Sequence, residues 1–172
     1  MLFNYLKWAK IYFMNVKILC VGKIKEKFYR DAISEYSKRL SKYCSLEVIE
    51  VSDEKTNENS SETEIALVKA KEGERILKHI KDKDFVIALA ILGKQLDSVA
   101  FSKYIENLGI SGRSSITFII GGSLGLSDEV MKRSDFQISF SDMTFPHQLM
   151  RVILLEQIYR GMRIMNNEPY HK

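Results

Sequence analysis

The chain of 172 residues lacks most of the features that mark secreted, metal-binding or membrane-spanning proteins. Its two cysteines, Cys20 and Cys44, are far apart, and such a pair provides neither a disulfide framework nor a metal-binding pattern. Cys20 lies inside an apolar run, as a core residue would, and a reducing cytoplasm is the expected location. No apolar run approaches the roughly 20 residues that a transmembrane helix requires.

A strong charge of one sign is also missing. The formal net charge is +4, which is compatible with an anionic partner but does not require one. A basic excess of this size is more often a solvated surface than a binding face. With 45% apolar and 28% charged residues, the composition is that of a globular protein. The length suits one domain with a real core, with or without a small appendage.

The first 13 residues, MLFNYLKWAKIYF, differ from the remainder of the chain. They are aromatic and apolar, but Lys7 and Lys10 interrupt them, and the longest apolar stretch is too short for a signal peptide. Met14 is followed directly by the pattern of a strand. We therefore predict that residues 1–13 are an extension or a mis-called start, with a short amphipathic anchor as the alternative. Residues 14–172 are expected to form a single domain.

Strand and helix patterns alternate from residue 16 onwards. Runs rich in apolar and β-branched residues predict five strands, over residues 16–22, 46–51, 84–92, 115–122 and 135–140. Helical periodicity predicts five helices, over residues 25–43, 61–80, 98–108, 127–132 and 144–165. This order argues for an α/β fold, in which a mostly parallel sheet of five or six strands has helices on both faces.

Several element boundaries carry specific signals. Ser61 and Glu64 have the spacing of a capping box at the start of the second helix. Gly93 is expected to end the third strand, and Thr144 to cap the last helix with Pro146 in its first turn. The apolar face of the first helix is predicted from residues spaced by four and three, which are Phe28, Ala32, Tyr36, Leu40 and Tyr43.

The segment FIIGGSLGLSDEV, residues 118–130, has the form of a nucleotide-binding loop, because a strand leads through glycines into a helix. It lacks the G-x-G-x-x-G spacing of dinucleotide-binding proteins, and it has no lysine where a Walker loop requires one. Asp128 and Glu129 in the first helical turn favour the positive end of the helix dipole and repel a phosphate. A ligand without phosphate, such as S-adenosylmethionine, fits better, and a plain tight turn explains the glycines equally well.

The expected place for such a ligand follows from the fold class. Ligands of open parallel sheets bind beyond the carboxyl ends of the strands. Three segments, residues 89–93, 121–125 and 140–145, come directly after predicted strands or at their ends. They are therefore expected around one crevice.

Four motifs occur together in this chain: VKILCVGKIKEKFYRDAISEYSKRL, FIIGGSLGLS, FSDMTFPHQLMRVILLEQIYRGMRI and a closing PYHK. In this combination the chain resembles the RlmH family of ribosomal RNA methyltransferases, from about residue 14 to residue 172. The resemblance implies the SPOUT type of α/β fold, with a trefoil knot of the C-terminal strands and helix around the cofactor. It also implies a homodimer that uses S-adenosylmethionine to methylate N3 of a pseudouridine in 23S rRNA.

The resemblance assigns cofactor contacts to the three segments already expected around the crevice, and it implies no metal. These contacts are Leu89, Gly121, Phe140, Ser141, Asp142, Met143, Thr144 and Phe145. Many relatives have an acidic residue after the leucine that matches Leu89, whereas this chain has Ala90. If that carboxylate helps to hold the ribose or the sulfonium, cofactor affinity is lower here; if it only caps a turn, nothing changes.

The chemistry of the implied reaction points to the end of the chain. The N3 proton of a pseudouridine is a weakly acidic imide proton, so a base or a cation beside the flanking carbonyl oxygens would accelerate methyl transfer. Tyr170, His171 and Lys172 are the candidates for catalysis, since His171 titrates near neutral pH and Lys172 can hold a phosphate or a carbonyl oxygen. Terminal residues are usually frayed, but the resemblance to the family favours the catalytic interpretation.

Three residues of the last predicted helix have less specific assignments. Arg151 and Arg160 are candidates for RNA contacts, and a solvated helix face explains them about equally well. His147, which follows Pro146, is interpreted as structural.

The same helix is too apolar for one surface stripe, which covers little more than about 100° of arc. Its spread of apolar residues favours a homodimer through this helix. These residues are Leu149, Met150, Val152, Ile153, Leu154, Leu155, Ile158, Tyr159, Met162, Ile164 and Met165.

Two other classes of function stay open at this point. A nucleotide-binding oxidoreductase conflicts with the missing fingerprint and the acidic helix start. A non-catalytic RNA-binding or ribosome-associated module of the same fold is compatible with Ala90. In the favoured hypothesis the substrate is 23S rRNA in the large subunit or the assembled ribosome, because a small domain needs a folded ribosomal surface to find one nucleotide. Neither a membrane nor DNA is expected as a partner.

Overall fold

The computed structural model describes residues 13–57 and 59–170, so the segment predicted to be an extension lies almost entirely outside the described residues. The described part contains five strands: β1 Met14–Val21, β2 Cys44–Val51, β3 Phe85–Gln95, β4 Ser115–Ile120 and β5 Phe136–Ser139. It also contains five helices: α1 Lys27–Leu40, α2 Glu62–Leu77, α3 Ser98–Ile110, α4 Asp128–Arg133 and α5 His147–Met165. The predicted alternation of strands and helices is confirmed.

All paired strands of the sheet are parallel, in the order β2-β1-β4-β3-β5. The central strand β4 is buried at every position from Ile116 to Ile120, which explains its continuous apolar sequence. The predicted α/β class with a parallel sheet is therefore correct, with five strands in the described residues.

Helices cover both faces of the sheet. On one face α1, α3 and α5 pack in a cluster that includes Ile18 and Cys20, and on the other α2 and α4 pack in a cluster that includes Leu19 and Val21. Successive residues of a strand point to opposite faces, so β1 contributes to both clusters. Among the described residues, no helix is both long and apolar enough to span a membrane.

Both cysteines are free and lie inside this core. Burial raises the pKa of the Cys20 thiol to about 12, and it does the same for the Cys44 thiol. At neutral pH both sulfurs are therefore protonated and act as small apolar groups.

The third strand does not end at Gly93, as the sequence predicts, but continues to Gln95. Its pairing with β5 shifts in register, so that Leu89 and Lys94 both align with Ile138. A Cβ atom at Gly93 would lie 2.6 Å from the carbonyl carbon of Ile138, so a glycine is needed where the strand returns to β5. The intervening residues bulge outwards, and Leu92 is 97% exposed.

The two helix starts that the sequence predicts have different outcomes. The capping box of α2 is confirmed, since the Ser61 hydroxyl accepts from the Glu64 amide at 3.3 Å and the Glu64 carboxylate accepts from the Ser61 amide at 2.7 Å. Thr144, in contrast, does not cap α5. The N-cap is Pro146 in extended conformation without a side-chain cap, and the helix begins at His147.

The first helix departs from its predicted apolar face at one end. Leu40 and Tyr43 are buried, and Ile33 and Tyr36 pack against the core. Phe28, however, is 61% exposed at the start of α1. Phe28 stands in the first turn of the helix, and its ring contacts that of Tyr29, with 4.3 Å between centroids.

Candidate active site

The predicted crevice lies at the carboxyl edge of β4, β3 and β5. Ala88 of β3 aligns with Ile119 of β4, and Leu89 aligns with Ile138 of β5. The strand ends therefore bring Leu89 and Gly121 to the edge from which residues 140–145 leave β5. The structure thus brings all the predicted cofactor residues to one end of the sheet.

The segment at residues 140–145 is fixed at its base and open at its tip. The Ser139 hydroxyl donates to the carbonyl of Ser141 at 3.0 Å, and the Ser141 hydroxyl accepts from the amide of Met143 at 3.0 Å. The side-chain amide of Gln95 donates to Asp142 at 2.8 Å, which ties the segment to the end of β3. Phe140 packs edge-on against Phe101, with 6.4 Å between ring centroids.

The tip of the same segment is apolar and accessible. Met143 is 73% exposed and Phe145 is 36% exposed, although both are large apolar side chains. Exposed apolar groups around backbone amides and carbonyls suit a ligand that has both an apolar and a polar part.

The glycine loop after β4 is a tight turn. The Gly125 amide donates to the Gly122 carbonyl at 3.1 Å, and Gly125 has a φ of +82°, which a side chain would strain. A Cβ atom at Gly121 would lie 3.0 Å from the carbonyl carbon of Gly125, so this glycine is already confined by its own loop. The tight turn that the sequence left as an alternative is present, and it leaves the Gly121 backbone at the crevice.

The helix that follows the loop is negatively charged at its start. Ser127 caps α4 by accepting from the amide of Val130 at 3.3 Å. Hydrogen bonds from its own amide and from the Ser127 hydroxyl lower the pKa of Glu129. An ionised carboxylate beside Asp128 makes this turn unfavourable for a phosphate, in agreement with the interpretation from sequence.

A second cleft, of about 340 Å³, lies on the β1 side of the glycine loop. Gly122, Ser123 and His147 line it together with Glu72. Glu72 is 5% exposed; one carboxylate oxygen accepts from the amide of Glu54 at 3.0 Å, and the other is buried without a partner among the described residues. Burial, above all other causes, raises the pKa of Glu72.

Sequence reasoning did not find Glu72. It lies in the charged run KAKEGERILK, where a glutamate is unremarkable. The available signal is Gly73 beside it, where a Cβ atom would lie 2.3 Å from the Ser127 hydroxyl. A glycine inside a helix marks a close approach, in this case of α2 to the start of α4.

His147 closes the same cleft at the start of α5. Burial and then the nearby Arg151 lower the pKa of His147, so its imidazole is neutral at neutral pH. A neutral imidazole can donate at one nitrogen and accept at the other.

Arg151 has neither of its two predicted roles. It is fully buried, and one guanidinium nitrogen contacts the Glu50 carboxylate at 2.7 Å. The second terminal nitrogen of the guanidinium donates to the carbonyls of Val21 and Gly22 at 2.8 and 2.7 Å. Arg151 therefore fixes the loop after β1 to the first turns of α5, and it is available neither to RNA nor to solvent.

Within one chain, Tyr170 is not brought to the crevice. The Tyr170 hydroxyl donates to Glu156 at 3.3 Å, and the ring packs edge-on against Tyr159, with 5.0 Å between centroids. Burial raises the pKa of Tyr170. Glu156 is nine residues into α5, so Tyr170 is held roughly 14 Å along the helix from its start at the crevice.

Three other predicted residues belong to the tail and to α5. His171 and Lys172 lie outside the described residues. Arg160 is half-buried, contacts the Glu156 carboxylate at 2.6 Å and lies over the Tyr170 ring at 4.7 Å. Its predicted contact with RNA stays a prediction.

Comparison with known proteins gives a consistent result. A family model described as a predicted SPOUT methyltransferase matches residues 14–171. The chain is 59% identical over 159 residues to "Ribosomal RNA large subunit methyltransferase H" of Clostridium kluyveri, covering 92% of this chain and 100% of the relative. It is 62% identical, with the same coverage, to the protein of the same name from Clostridium tetani.

Solved structures bear on the fold alone. A "probable methylase family protein" from Haemophilus influenzae has a TM-score of 0.50 and 12% sequence identity, covering 90% of this chain and 67% of that chain. At this identity the likeness supports the architecture of strands and helices and says nothing of individual site residues.

Proposed function

The chain belongs to the SPOUT methyltransferase family, and from that membership we propose that it transfers a methyl group from S-adenosylmethionine to N3 of a pseudouridine in 23S rRNA. The observation that carries the proposal is the identity of 59–62% with proteins named as ribosomal RNA large subunit methyltransferases, over the whole length of those relatives. We place the enzyme in the cytoplasm, with the large subunit or the assembled ribosome as its substrate.

Mass spectrometry of 23S rRNA fragments tests this proposal. Ribosomes from a strain that lacks its own methyltransferase should gain one methyl group, on one pseudouridine, after incubation with the enzyme and S-adenosylmethionine. Unmodified rRNA under these conditions would contradict the proposal. It would favour the non-catalytic RNA-binding module, with which Ala90 is compatible. A rise in melting temperature with NADH instead of S-adenosylmethionine would favour the oxidoreductase.

S-adenosylmethionine would bind in the crevice at the carboxyl edge of β3, β4 and β5. The cofactor supplies an electrophilic methyl group on a sulfonium. The exposed Met143 and Phe145 suit the apolar faces of its adenosine, and the Gly121 backbone allows close approach. The acidic start of α4 repels phosphate but not a sulfonium cation.

The knot of the C-terminal strands and helix stays a prediction from the resemblance.

Cofactor affinity should depend on Gly121. In a Gly121→Val protein the branched side chain meets the Gly125 backbone at 3.0 Å and displaces the glycine loop from the crevice, so we expect loss of S-adenosylmethionine binding with the remainder of the fold retained. Isothermal titration calorimetry measures the affinity, and circular dichroism checks the fold. Gly161→Ala is the matched control, because a Cβ atom there has ordinary contacts with α3 at 3.7 Å or more. Unchanged affinity in the Gly121 variant would show that the crevice is assigned wrongly.

The active site is proposed to be shared between two subunits. Tyr170 is held against the middle of α5, so within one chain this residue is separated from the crevice. In a C2 dimer each tail can reach the crevice of the other subunit. In this arrangement the tail of the partner subunit would supply the base and the cation. These groups would orient the imide and remove its proton.

The face of α5 that would form the dimer is narrower than the sequence indicates. Of the eleven apolar residues, six are buried in their own chain: Leu154, Leu155, Ile158, Tyr159, Met162 and Met165. Leu149, Val152 and Ile153 are half-buried and have the spacing of neighbours on one helical face. This stripe is where a second subunit would pack.

We expect the wild type to sediment as a dimer at micromolar concentration and Ile153→Asp to sediment as a monomer that has lost its methyl transfer. Ile158 is unsuitable for this test, because at 3% exposure it reports on the core of its own subunit. Leu67→Asp is the control, since Leu67 is 53% exposed on α2. A monomeric wild type, or a monomeric variant with full activity, would refute the shared site.

A further inference from the structure

A basic and aromatic segment borders the crevice on the side of β1. We call residues 23–30, with the sequence KIKEKFYR, the rim segment. It contains four basic residues and one acidic residue, whereas the net charge of the whole chain is only +4. Cys20 of β1 aligns with Ile120 of β4, so the rim segment begins within a few residues of the glycine loop.

The backbone of the rim segment is fixed. The amide of Ile24 donates to Glu50 at 3.0 Å, and the amide of Lys25 donates to Gln148 of α5 at 2.9 Å. The Arg30 guanidinium donates to the carbonyls of Ile24 and Lys25 at 3.1 and 2.7 Å. The same Glu50 holds the buried Arg151, so the segment is tied to the sheet, to α1 and to α5 at once.

Most side chains of the rim segment are exposed, although Arg30 is bonded to the carbonyls of the segment and Lys27 pairs with Asp31 at 2.6 Å. Lys23 and Lys25 are exposed, and within the described ranges neither ammonium group has a hydrogen-bond or ion-pair partner. The Phe28 ring is 61% exposed and lies tilted against Tyr29, with 4.3 Å between centroids. A hydrogen-bonded backbone thus carries an exposed aromatic ring and two unpaired lysines within one short segment.

This combination has a particular chemical preference. Lysine is depleted from the cores of protein–protein interfaces, so an apolar protein partner is a poor match for an exposed ring that follows two unpaired lysines. Single-stranded nucleic acids are bound by aromatic rings that stack on bases and by cations that follow the phosphates. Unpaired bases in loops are also the parts of RNA that proteins recognise by sequence.

We propose that the rim segment is an RNA-docking surface, on which Phe28 stacks on an unpaired base next to the target nucleotide while Lys23 and Lys25 contact the flanking phosphates. This inference rests on the proposed function, since it takes RNA as the substrate. It adds to that function a named surface of the chain that positions the RNA before the reaction.

Two substitutions of Phe28 separate stacking from simple apolar contact. Phe28→Trp keeps an aromatic face, and Phe28→Leu keeps only apolar volume. With methylase-deficient ribosomes as substrate, the leucine variant should show a KM for ribosomes raised about tenfold, as expected for the loss of one stacked base. Its kcat and its affinity for S-adenosylmethionine should not change, and the tryptophan variant should keep the wild-type KM. A leucine variant with the wild-type KM overturns the proposal.

The lysines are tested by salt dependence. Each phosphate contact that is removed should lower the slope of log affinity against log salt by about 0.7 on single-stranded RNA. We expect this for Lys23→Gln and for Lys25→Gln. Lys83→Gln is the matched control, because Lys83 is exposed just before β3, at the opposite edge of the sheet. Equal slopes for the wild type and both rim variants contradict the phosphate contacts.

Direct binding keeps this inference separate from the proposed function. Fluorescence anisotropy with 23S rRNA fragments measures the RNA affinity of the same variants. This measurement requires no methyl transfer, so it stays informative if the proposed function fails. Weaker RNA binding by Phe28→Leu than by Phe28→Trp supports the docking surface in either case. Conversion of Phe28→Leu from dimer to monomer in sedimentation would assign the ring to a subunit contact and overturn the proposal.

Discussion

Removal of His171 and Lys172 should lower the rate of methyl transfer by about two orders of magnitude or more, with no change in the affinity for S-adenosylmethionine. Acid–base help contributes about 10² to 10⁴ to a rate, and these residues are the proposed base and cation. Rapid-quench measurement of methyl transfer gives the rate, and calorimetry gives the affinity. The deletion keeps Tyr170, because the Tyr170 ring packs on Tyr159 and its loss would disturb α5.

The longer deletion of residues 170–172 should lose at least as much activity as the shorter one. If the shared site is correct, a mixed dimer of one full-length and one shortened chain should keep about half of its sites active. A shortened protein that works at the wild-type rate would instead show that the tail is frayed and has no part in catalysis.

Replacement of Arg151 by methionine should lower the free energy of unfolding by about 3 kcal/mol, toward the lower end of the cost of breaking a buried ion pair. The variant leaves the carbonyls of Val21 and Gly22 without their donor and the Glu50 carboxylate without its cation. Glu50 is one-third exposed, so water compensates part of the loss. Chemical denaturation monitored by circular dichroism measures the effect.

A control for Arg151 is Lys78→Met at the end of α2, where the lysine pairs with Glu74 on the surface at 2.9 Å. Solvent screens an exposed pair of this kind, so the control should unfold almost as the wild type does. If Arg151→Met retained wild-type stability and lost RNA binding instead, the residue would be an RNA contact and the buried assignment would be wrong.

The course of the sheet follows from the sequence because its central strands are continuously apolar. Runs such as SITFII and FVIALAIL have no polar face, so they fit strands with helices on both sides. Parallel strands then bring their carboxyl ends together, which is why the crevice residues could be predicted as a group. The strand order and the bulge of β3 depend on pairing between distant segments, and no local pattern encodes them.

The burial of Arg151 was predictable in principle. It stands three, four and seven positions before Leu154, Leu155 and Ile158, so it belongs to the same buried stripe of α5. The interpretation from sequence gave more weight to the charge of Arg151 than to its position on the helix. The opposite holds for Phe28, whose apolar character suggested burial although it lies at the very start of α1, beyond the edge of the core.

The location of the tail needed the structure. Nothing in the letters PYHK indicates that Tyr170 packs on Tyr159 and bonds to Glu156. These contacts depend on the length of α5 and on the reversal of the chain after Met165, where Asn167 has a φ of 53°. The turn after Met165, and not the motif, places Tyr170 away from the crevice of its own chain.

The two buried thiols have a practical consequence for spectroscopy. Cys20 and Cys44 are the complete cysteine set of the chain, and both are protonated inside the core. Maleimide reagents attack thiolates at accessible sulfurs, so the native protein should stay unlabelled without removal of either cysteine. One Lys172→Cys substitution would then carry a single dye per subunit, and energy transfer between the two dyes of a dimer would report the distance between the tails.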